Sequence, residues 1–255
     1  MLKRYINNFG LKNLYGKNRI SRVPIREWST KRALLRWWNT GREGDPVPLS
    51  RWGYNGSECD PVDWPKHFKC GSGLCQSPIN IDMSTIQYSK DLAPIKISYK
   101  TTPSYLINDG QAIRVHYAQG SVISGANLEN EYGVVQFHFH WGSKNGCGSE
   151  HLIDNQQADA ELHIVHMNTK YSDIFQAMEH DDGLAVLGIF LREDAQRAND
   201  SVKPITQQFS RLTNFNHHYK CEQPFDLSQM VPDLTEFLTY DGSLTTPPLT
   251  QVSTN

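Results

Sequence analysis

A chain of 255 residues is long enough to bury one large core or two small ones, and 38% hydrophobic with 20% charged residues is an ordinary globular composition that excludes global disorder. No run of 18 or more apolar residues occurs, so no membrane span is expected. The net charge of −2 hides a split, because residues 1–44 hold 11 of the 25 Lys+Arg and 2 of the 27 Asp+Glu, a balance of +9, which leaves −11 on residues 45–255. A body that acidic is unsuited to phosphate contacts, which argues against nucleic acid as a partner.

The chain opens on the basic stretch. Lys3, Arg4, Lys12, Lys17, Arg19, Arg22, Arg26, Lys31, Arg32 and Arg36 alternate with apolar and aromatic residues, and Glu27 is the one acid before Glu43. The stretch has no apolar h-region of the secretory kind, and its cationic, acid-poor character fits a mitochondrial transit segment. A plain basic tail or misread upstream coding sequence fits the same residues, and only Ser21 and Ser29 supply the serine usual in transit segments. Matrix localisation is therefore the expectation, with the cytoplasm as the alternative. Gly41-Arg42-Glu43-Gly44-Asp45-Pro46-Val47-Pro48 punctuates the chain where the charge changes sign, so the basic extension is assigned to residues 1–48 and a folded domain to 49–255.

Short strand-like runs then follow one another at Ile95–Tyr99, Tyr105–Asn108, Ala112–Tyr117, Val134–Trp141, Ala160–Met167 and Leu184–Leu191. Helical spacing is confined to Ile174–His180, Val202–Leu212 and Leu234–Leu238. The pattern predicts a mainly β (α+β) single domain with short peripheral helices. Cys59, Cys70, Cys75, Cys147 and Cys221 form no CxxC pattern and no dense disulfide framework. Cys70 and Cys75 are close enough in sequence to bridge, but spacing alone does not supply disulfide geometry. Oligomeric state is not legible.

The richest run is Val135-Gln136-Phe137-His138-Phe139-His140-Trp141. Alternation in a strand puts Gln136, His138 and His140 on one face and Val135, Phe137, Phe139 and Trp141 on the other. Further on, Glu161-Leu162-His163-Ile164-Val165-His166 offers Glu161 and His163 on one face of a second strand. Three neutral imidazoles with one open position form the ligand set of a catalytic zinc site, and Gln136 and Glu161 are suited to take the second ring N–H of a ligand histidine. Imidazole also suits copper, iron and nickel, so the pattern alone leaves the metal open. His151 and His166 read as buried, hydrogen-bonded imidazoles; His67, His116, His180, His217 and His218 are assigned no role.

These runs resemble the α-class carbonic anhydrases. The resemblance covers about residues 51–250 and is carried by Trp52-Gly53-Tyr54, Gln76-Ser77-Pro78-Ile79-Asn80-Ile81, Gln136–Ser143, Gly148-Ser149-Glu150-His151, Ala160–Met167, Asn168-Thr169-Lys170-Tyr171, Asp182–Leu191 and Gly242-Ser243-Leu244-Thr245-Thr246-Pro247-Pro248. It implies a large, mostly antiparallel twisted central sheet, a Zn2+ cofactor, and reversible hydration of carbon dioxide to bicarbonate and a proton. Residue by residue, it implies that His138, His140 and His163 bind the metal, with Gln136 and Glu161 orienting two of them. Thr245 would be the gatekeeper that donates to Glu150 and accepts from the nucleophile, Thr246 would hydrogen-bond the product, and Tyr54 would join the water network. Val165, Val186 and Leu244 would line an apolar substrate pocket, and His151 and Tyr240 would be buried partners.

Gln111 stands where fast members of that family carry a proton-shuttling histidine, and a neutral amide cannot hold and release a proton near neutral pH. Slower turnover is expected, with buffer or a less well-placed acid such as Asp109 exporting the proton. Met167 replaces a tryptophan usual in the family. The family pattern also continues for roughly fifty residues past Asn255, set against usual domain size. The resemblance therefore implies that C-terminal strands are missing from the sequence as given, and a catalytically weak or inactive carbonic-anhydrase-related protein is the alternative reading.

Overall fold

The computed structural model describes residues 7–8, 54, 61, 63–68, 73–117, 120–194, 200–214, 217–251 and 253–254. The basic extension, residues 1–48, on which the transit-segment expectation falls, lies outside the described residues except for Asn7 and Asn8, as do Trp52, Gly53, Cys59 and Cys70, and with Cys70 any Cys70–Cys75 pairing.

Strands are β1 (Asn7–Asn8), β2 (Asn80–Ile81), β3 (Lys96–Ser98), β4 (Thr102–Asn108), β5 (Ile113–His116), β6 (Val122–Gly125), β7 (Leu128–Trp141), β8 (Leu152–Ile153), β9 (Ala160–Asn168), β10 (Leu184–Arg192), β11 (His218–Phe225), β12 (Asp241–Gly242) and β13 (Ser253–Thr254). Eleven of them form one sheet along the path β11-β4-β5-β7-β9-β10-β13-β12, with β1, β3 and β6 branching from it. The path is antiparallel throughout except where β13 runs parallel to β10, so the mostly antiparallel central sheet is as expected. Among the described residues the helices are short: α1 (Trp64–His67), α2 (Ile174–Ala177) and α3 (Lys203–Thr206), the last flanked by 3-10 turns at Asp200–Val202 and Phe209–Arg211, with a further 3-10 turn at Leu227–Met230 after β11.

Three expectations need correction. Val202–Leu212 is not one helix but a 3-10 turn, α3 and a second 3-10 turn, and Pro204 inside the span restricts helix to its first turn. Leu234–Leu238 forms no helix at all; Leu238 is exposed, so no packed apolar face supports one. Val135 does not share the face of Phe137 and Phe139, because the β7–β9 register shifts between Val134 and Gln136, and a bulge inserts one residue there.

The sheet's two faces then divide the labour. Phe137, Phe139, Leu162, Ile164, Ile189 and Leu191 point into the main core, where α3 and the 3-10 turns cover them with Val202, Ile205, Phe209 and Leu212. Fully burying one such side chain contributes roughly 1.5–3 kcal/mol before entropy is counted, so this face fixes the register of the strands. The opposite face of β7, β9 and β10 is free to carry polar groups, and there the histidines stand.

Candidate metal centre

Register, not proximity in sequence, assembles the site. His138 on β7 is the cross-strand partner of His163 on β9, and His163 is in turn the partner of Gly188 on β10. His140 faces Glu161 in the next row, while Gln136, Val165 and Val186 form the row before. The three imidazoles come together with ring centroids 4.9 Å (His138–His140), 5.4 Å (His138–His163) and 4.6 Å (His140–His163) apart. One ring nitrogen from each lies within 4.8 Å of those of the other two, close enough to hold one metal ion.

The outer hydrogen bonds decide which nitrogen each ring presents. Nδ1 of His138 bonds Oε1 of Gln136 at 2.9 Å, leaving Nε2 for a ligand, and Nε2 of His163 bonds Oε1 of Glu161 at 2.7 Å, leaving Nδ1. Nε2 of His140 is buried with no hydrogen-bond partner, although Oε2 of Glu150 lies 3.3 Å away and is itself unsatisfied. A buried nitrogen lone pair without a donor is costly in a finished core, and a cation between the imidazoles removes that cost. The donor set, neutral imidazoles with one side open, therefore fits a divalent metal such as zinc.

Burial pushes His138 and His140 well below the ordinary histidine range, with Arg114 and the neighbouring histidines adding to the effect, so both are neutral and ready to ligate. Burial acts the same way on His163, but the charges of Glu161 and Glu150 outweigh it and hold that imidazole above its usual value. His163 therefore holds a proton more readily than the other two rings, and metal binding there competes with protonation as pH falls. Glu161 is only 1% exposed; burial pushes its carboxyl up, but His163 and His151 together hold it well below the usual range.

Glu161 is the best-satisfied group of the site. Its Oε1 also bonds Nδ1 of His151 at 2.7 Å, and its Oε2 accepts the backbone N–H groups of Glu150 and His151, each at 2.9 Å. From His151 the chain of bonds runs outward: Nε2 to the Tyr240 hydroxyl at 2.6 Å, and that hydroxyl to Oγ of Ser77 at 2.7 Å. Ser77 and Ser243 then lock together, each backbone N–H donating to the other's hydroxyl at 2.9 and 3.0 Å. The relay reaches the segment holding Thr245, which a Leu244 N–H to Thr250 carbonyl bond closes at 3.0 Å.

Thr245 hydrogen-bonds the Glu150 carboxylate, and the Tyr54 hydroxyl donates to Oε1 of Glu150 at 3.3 Å. Burial pushes Glu150 up by more than His163 and Thr245 pull it down. Leu244 packs with Val135 and Met167 around Ile174 and Leu184, so the bulge that moved Val135 off the core face places it on this apolar wall. Thr246 is half-buried one residue from Thr245, its carbonyl accepting from the Leu249 N–H at 3.0 Å. Gln111 lies in the β4–β5 turn, where its N–H donates to Oδ1 of Asp109 at 2.9 Å.

Four residues were misjudged or missed from sequence. Asp109 is unsuited to carry protons because its oxygens accept from the N–H groups of Gln111 and Ala112 and from the Arg114 guanidinium in a buried ion pair. Arg114, assigned nothing, is the cross-strand partner of His138. His116 is half-buried and opposite Gln136, on the site's own face. Ser77 matters through Tyr240, a contact 163 residues apart in sequence that no local pattern could reveal.

With sheet and site described, the class is plain: the chain belongs to the eukaryotic-type carbonic anhydrase family, whose model matches residues 59–254. Human mitochondrial carbonic anhydrase 5A is 39% identical over 198 residues, covering 74% of this chain and 62% of that protein. Human carbonic anhydrase 7 is 37% identical over 205 residues, 78% of this chain and 76% of that protein. The chain thus spans somewhat under two thirds of the length of the first of these relatives.

Proposed function

We propose that this protein is a zinc-dependent carbonic anhydrase that interconverts carbon dioxide with bicarbonate and a proton. The carrying observation is the convergence of His138, His140 and His163, each with a nitrogen turned inward, beside the Glu150–Thr245 pair. A catalytic zinc lowers the pKa of its bound water to about 7, a general property for which carbonic anhydrase is the standard instance rather than a value obtained from this chain.

The chain's own groups do the rest. Gln136 and Glu161 fix the rings of His138 and His163, so the ligand nitrogens need no reorganisation. Thr245, its proton committed to Glu150, offers a lone pair to a protonated nucleophile and refuses a ligand that cannot donate. Val165 and Val186, cross-strand partners, and Leu244 hold an uncharged substrate in an apolar surround, while Thr246 hydrogen-bonds the bicarbonate and Tyr54 orders water beside Glu150. Gln111 cannot take up the released proton, so turnover is slowed at that step.

The decisive experiment is zinc analysis of the purified chain together with stopped-flow hydration of carbon dioxide. One zinc per chain with measurable hydration supports the reading; absence of either defeats it. Residues 1–48 act as a mitochondrial transit segment in this reading, supported by their charge and by the mitochondrial relative. A fluorescent reporter carrying them should enter mitochondria, and a diffuse signal would refute that assignment.

A further inference from the structure

β10 is apolar from end to end, yet its outer edge is paired only at the two ends. It reads Leu184-Ala185-Val186-Leu187-Gly188-Ile189-Phe190-Leu191, an unbroken run of the kind found in strands covered on both sides. β9 lines one edge from Leu184 to Leu191. On the other edge β13 runs parallel to it at Leu184 and Ala185, and β1 runs parallel to it at Leu191 and Arg192. Among the described residues no strand partner stands along the five positions between, Val186–Phe190. Burial follows the same division: Leu184, Ala185 and Leu191 are buried, whereas Val186, Leu187 and Phe190 are half-buried and Gly188 is exposed. A bare ladder beside half-buried apolar side chains is a site for an added strand, and the segments at its two ends already set the direction.

β1 shows which segment arrives there. Asn7 lies opposite Leu191 and Asn8 opposite Arg192. In a parallel pair the register advances one residue for one residue, so the five residues before Asn7, Leu2-Lys3-Arg4-Tyr5-Ile6, match the five open positions one for one. Tyr5 and Ile6 are strong strand formers, and Arg4 falls opposite Gly188, which has no side chain to obstruct it. Pairing at Asn7 and Asn8 makes the closure intramolecular, at an effective concentration that a second copy in dilute solution does not match.

We propose that residues 2–8 form one parallel edge strand that closes the outer edge of β10, so that the basic extension, while attached, is part of the central sheet. This goes beyond the transit reading of the same residues, which concerns where the chain is delivered. Removal of the extension bares the edge of the strand whose Gly188 is the cross-strand partner of His163.

Hydrogen exchange on the full chain, read by mass spectrometry over Val186–Phe190, tests the pairing. The parent is compared with Tyr5→Pro plus Ile6→Pro, which removes ladder donors of either alternation without touching β10, and with Leu14→Pro plus Tyr15→Pro, the same change elsewhere in the extension. The outer-edge amides should exchange at least about tenfold faster in the first variant than in the parent or the second. For the register, Lys3→Cys with Leu187→Cys should oxidise to a bridge within one chain, because directly paired positions lie inside the range of about 4.4–6.8 Å between Cα atoms that a disulfide spans. Exchange equally fast, or equally slow, in the parent and the Tyr5→Pro plus Ile6→Pro chain overturns the proposal. So does a bridge that joins two chains in a mixture of isotopically light and heavy protein, which would give the edge to a second copy. Neither result bears on the reporter assay of the transit reading.

Discussion

Oε1 of Glu161 sits 2.7 Å from Nε2 of His163 and, at the same distance, from Nδ1 of His151. One carboxylate oxygen thus fixes the tautomer of a ligand imidazole and of the histidine that ties it to Tyr240. Glutamine at this position could accept from one ring but would turn its own N–H groups toward the backbone donors of Glu150 and His151. Glu161→Gln should weaken zinc binding by about 10–100-fold, the usual cost of removing such an outer partner, as read by chelator competition. Zinc affinity equal to the parent's would show that His163 needs no orienting carboxylate. In the same assay His163→Ala should lose stoichiometric zinc altogether, and full retention would remove His163 from the ligand set.

The Tyr240 hydroxyl bridges His151 and Ser77, joining the β9 carboxylate to the segment before β2. Tyr240→Phe leaves both partners short of a bond, at a cost of roughly 1–3 kcal/mol if they stay buried. The thermal midpoint should drop by several degrees, while zinc still binds one per chain, because Glu161 keeps its bonds to His163 and the backbone. An unchanged midpoint would mean that water replaces the hydroxyl without loss.

Local periodicity made the strands that carry His138, His140 and His163 visible, because period-2 alternation around HxH and ExH states which side chains share a face. It could not show that β5 lies beside β7, since that pairing is decided by which faces bury Leu106, Val115 and Phe137 together. Arg114 and His116 were invisible for that reason: each is an ordinary polar residue until the register sets it opposite His138 or Gln136. The bulge at Val135 was equally hidden, because a single inserted residue leaves no mark on composition and shifts an apolar side chain from the core to the site's wall. Asp109 was misread for want of its partner, which only the folded turn supplies.

His166 points to the other face of β9, where Nε2 meets the Tyr99 hydroxyl at 2.7 Å and Nδ1 the Ala185 carbonyl at 3.2 Å. Burial pushes it down from 6.5 to about 4. Between those values the unfolded chain binds a proton that the folded chain refuses, so the stabilisation is complete above pH 6.5 and is lost as pH falls through about 4. The change amounts to about 3 kcal/mol at most. His138 and His140 are shifted the same way and steepen the slope. His166→Gln should be less stable at neutral pH yet show a flatter decline of urea stability from pH 6.5 to 4; a parallel decline would place the acid sensitivity elsewhere.

In the proposed reaction, proton export is the step for which Gln111 leaves the chain poorly equipped. Gln111 has no titratable group, and Asp109 is held by Arg114 and two backbone donors. At low buffer the maximal hydration rate should therefore be limited by proton transfer and climb as imidazole buffer is added, whereas kcat/KM, which reports the carbon dioxide step, should stay flat. Gln111→His should raise the low-buffer maximum by roughly tenfold, within the range a positioned acid–base group contributes. His116, half-buried opposite Gln136, is the natural internal competitor for that task. If His116 already carries the proton, the parent rate will be insensitive to buffer, Gln111→His will add nothing, and His116→Ala will create the buffer dependence. A parent rate that climbs with buffer and is unmoved by His116→Ala, together with a gain in Gln111→His, identifies the turn between β4 and β5 as the place where the missing shuttle limits the enzyme.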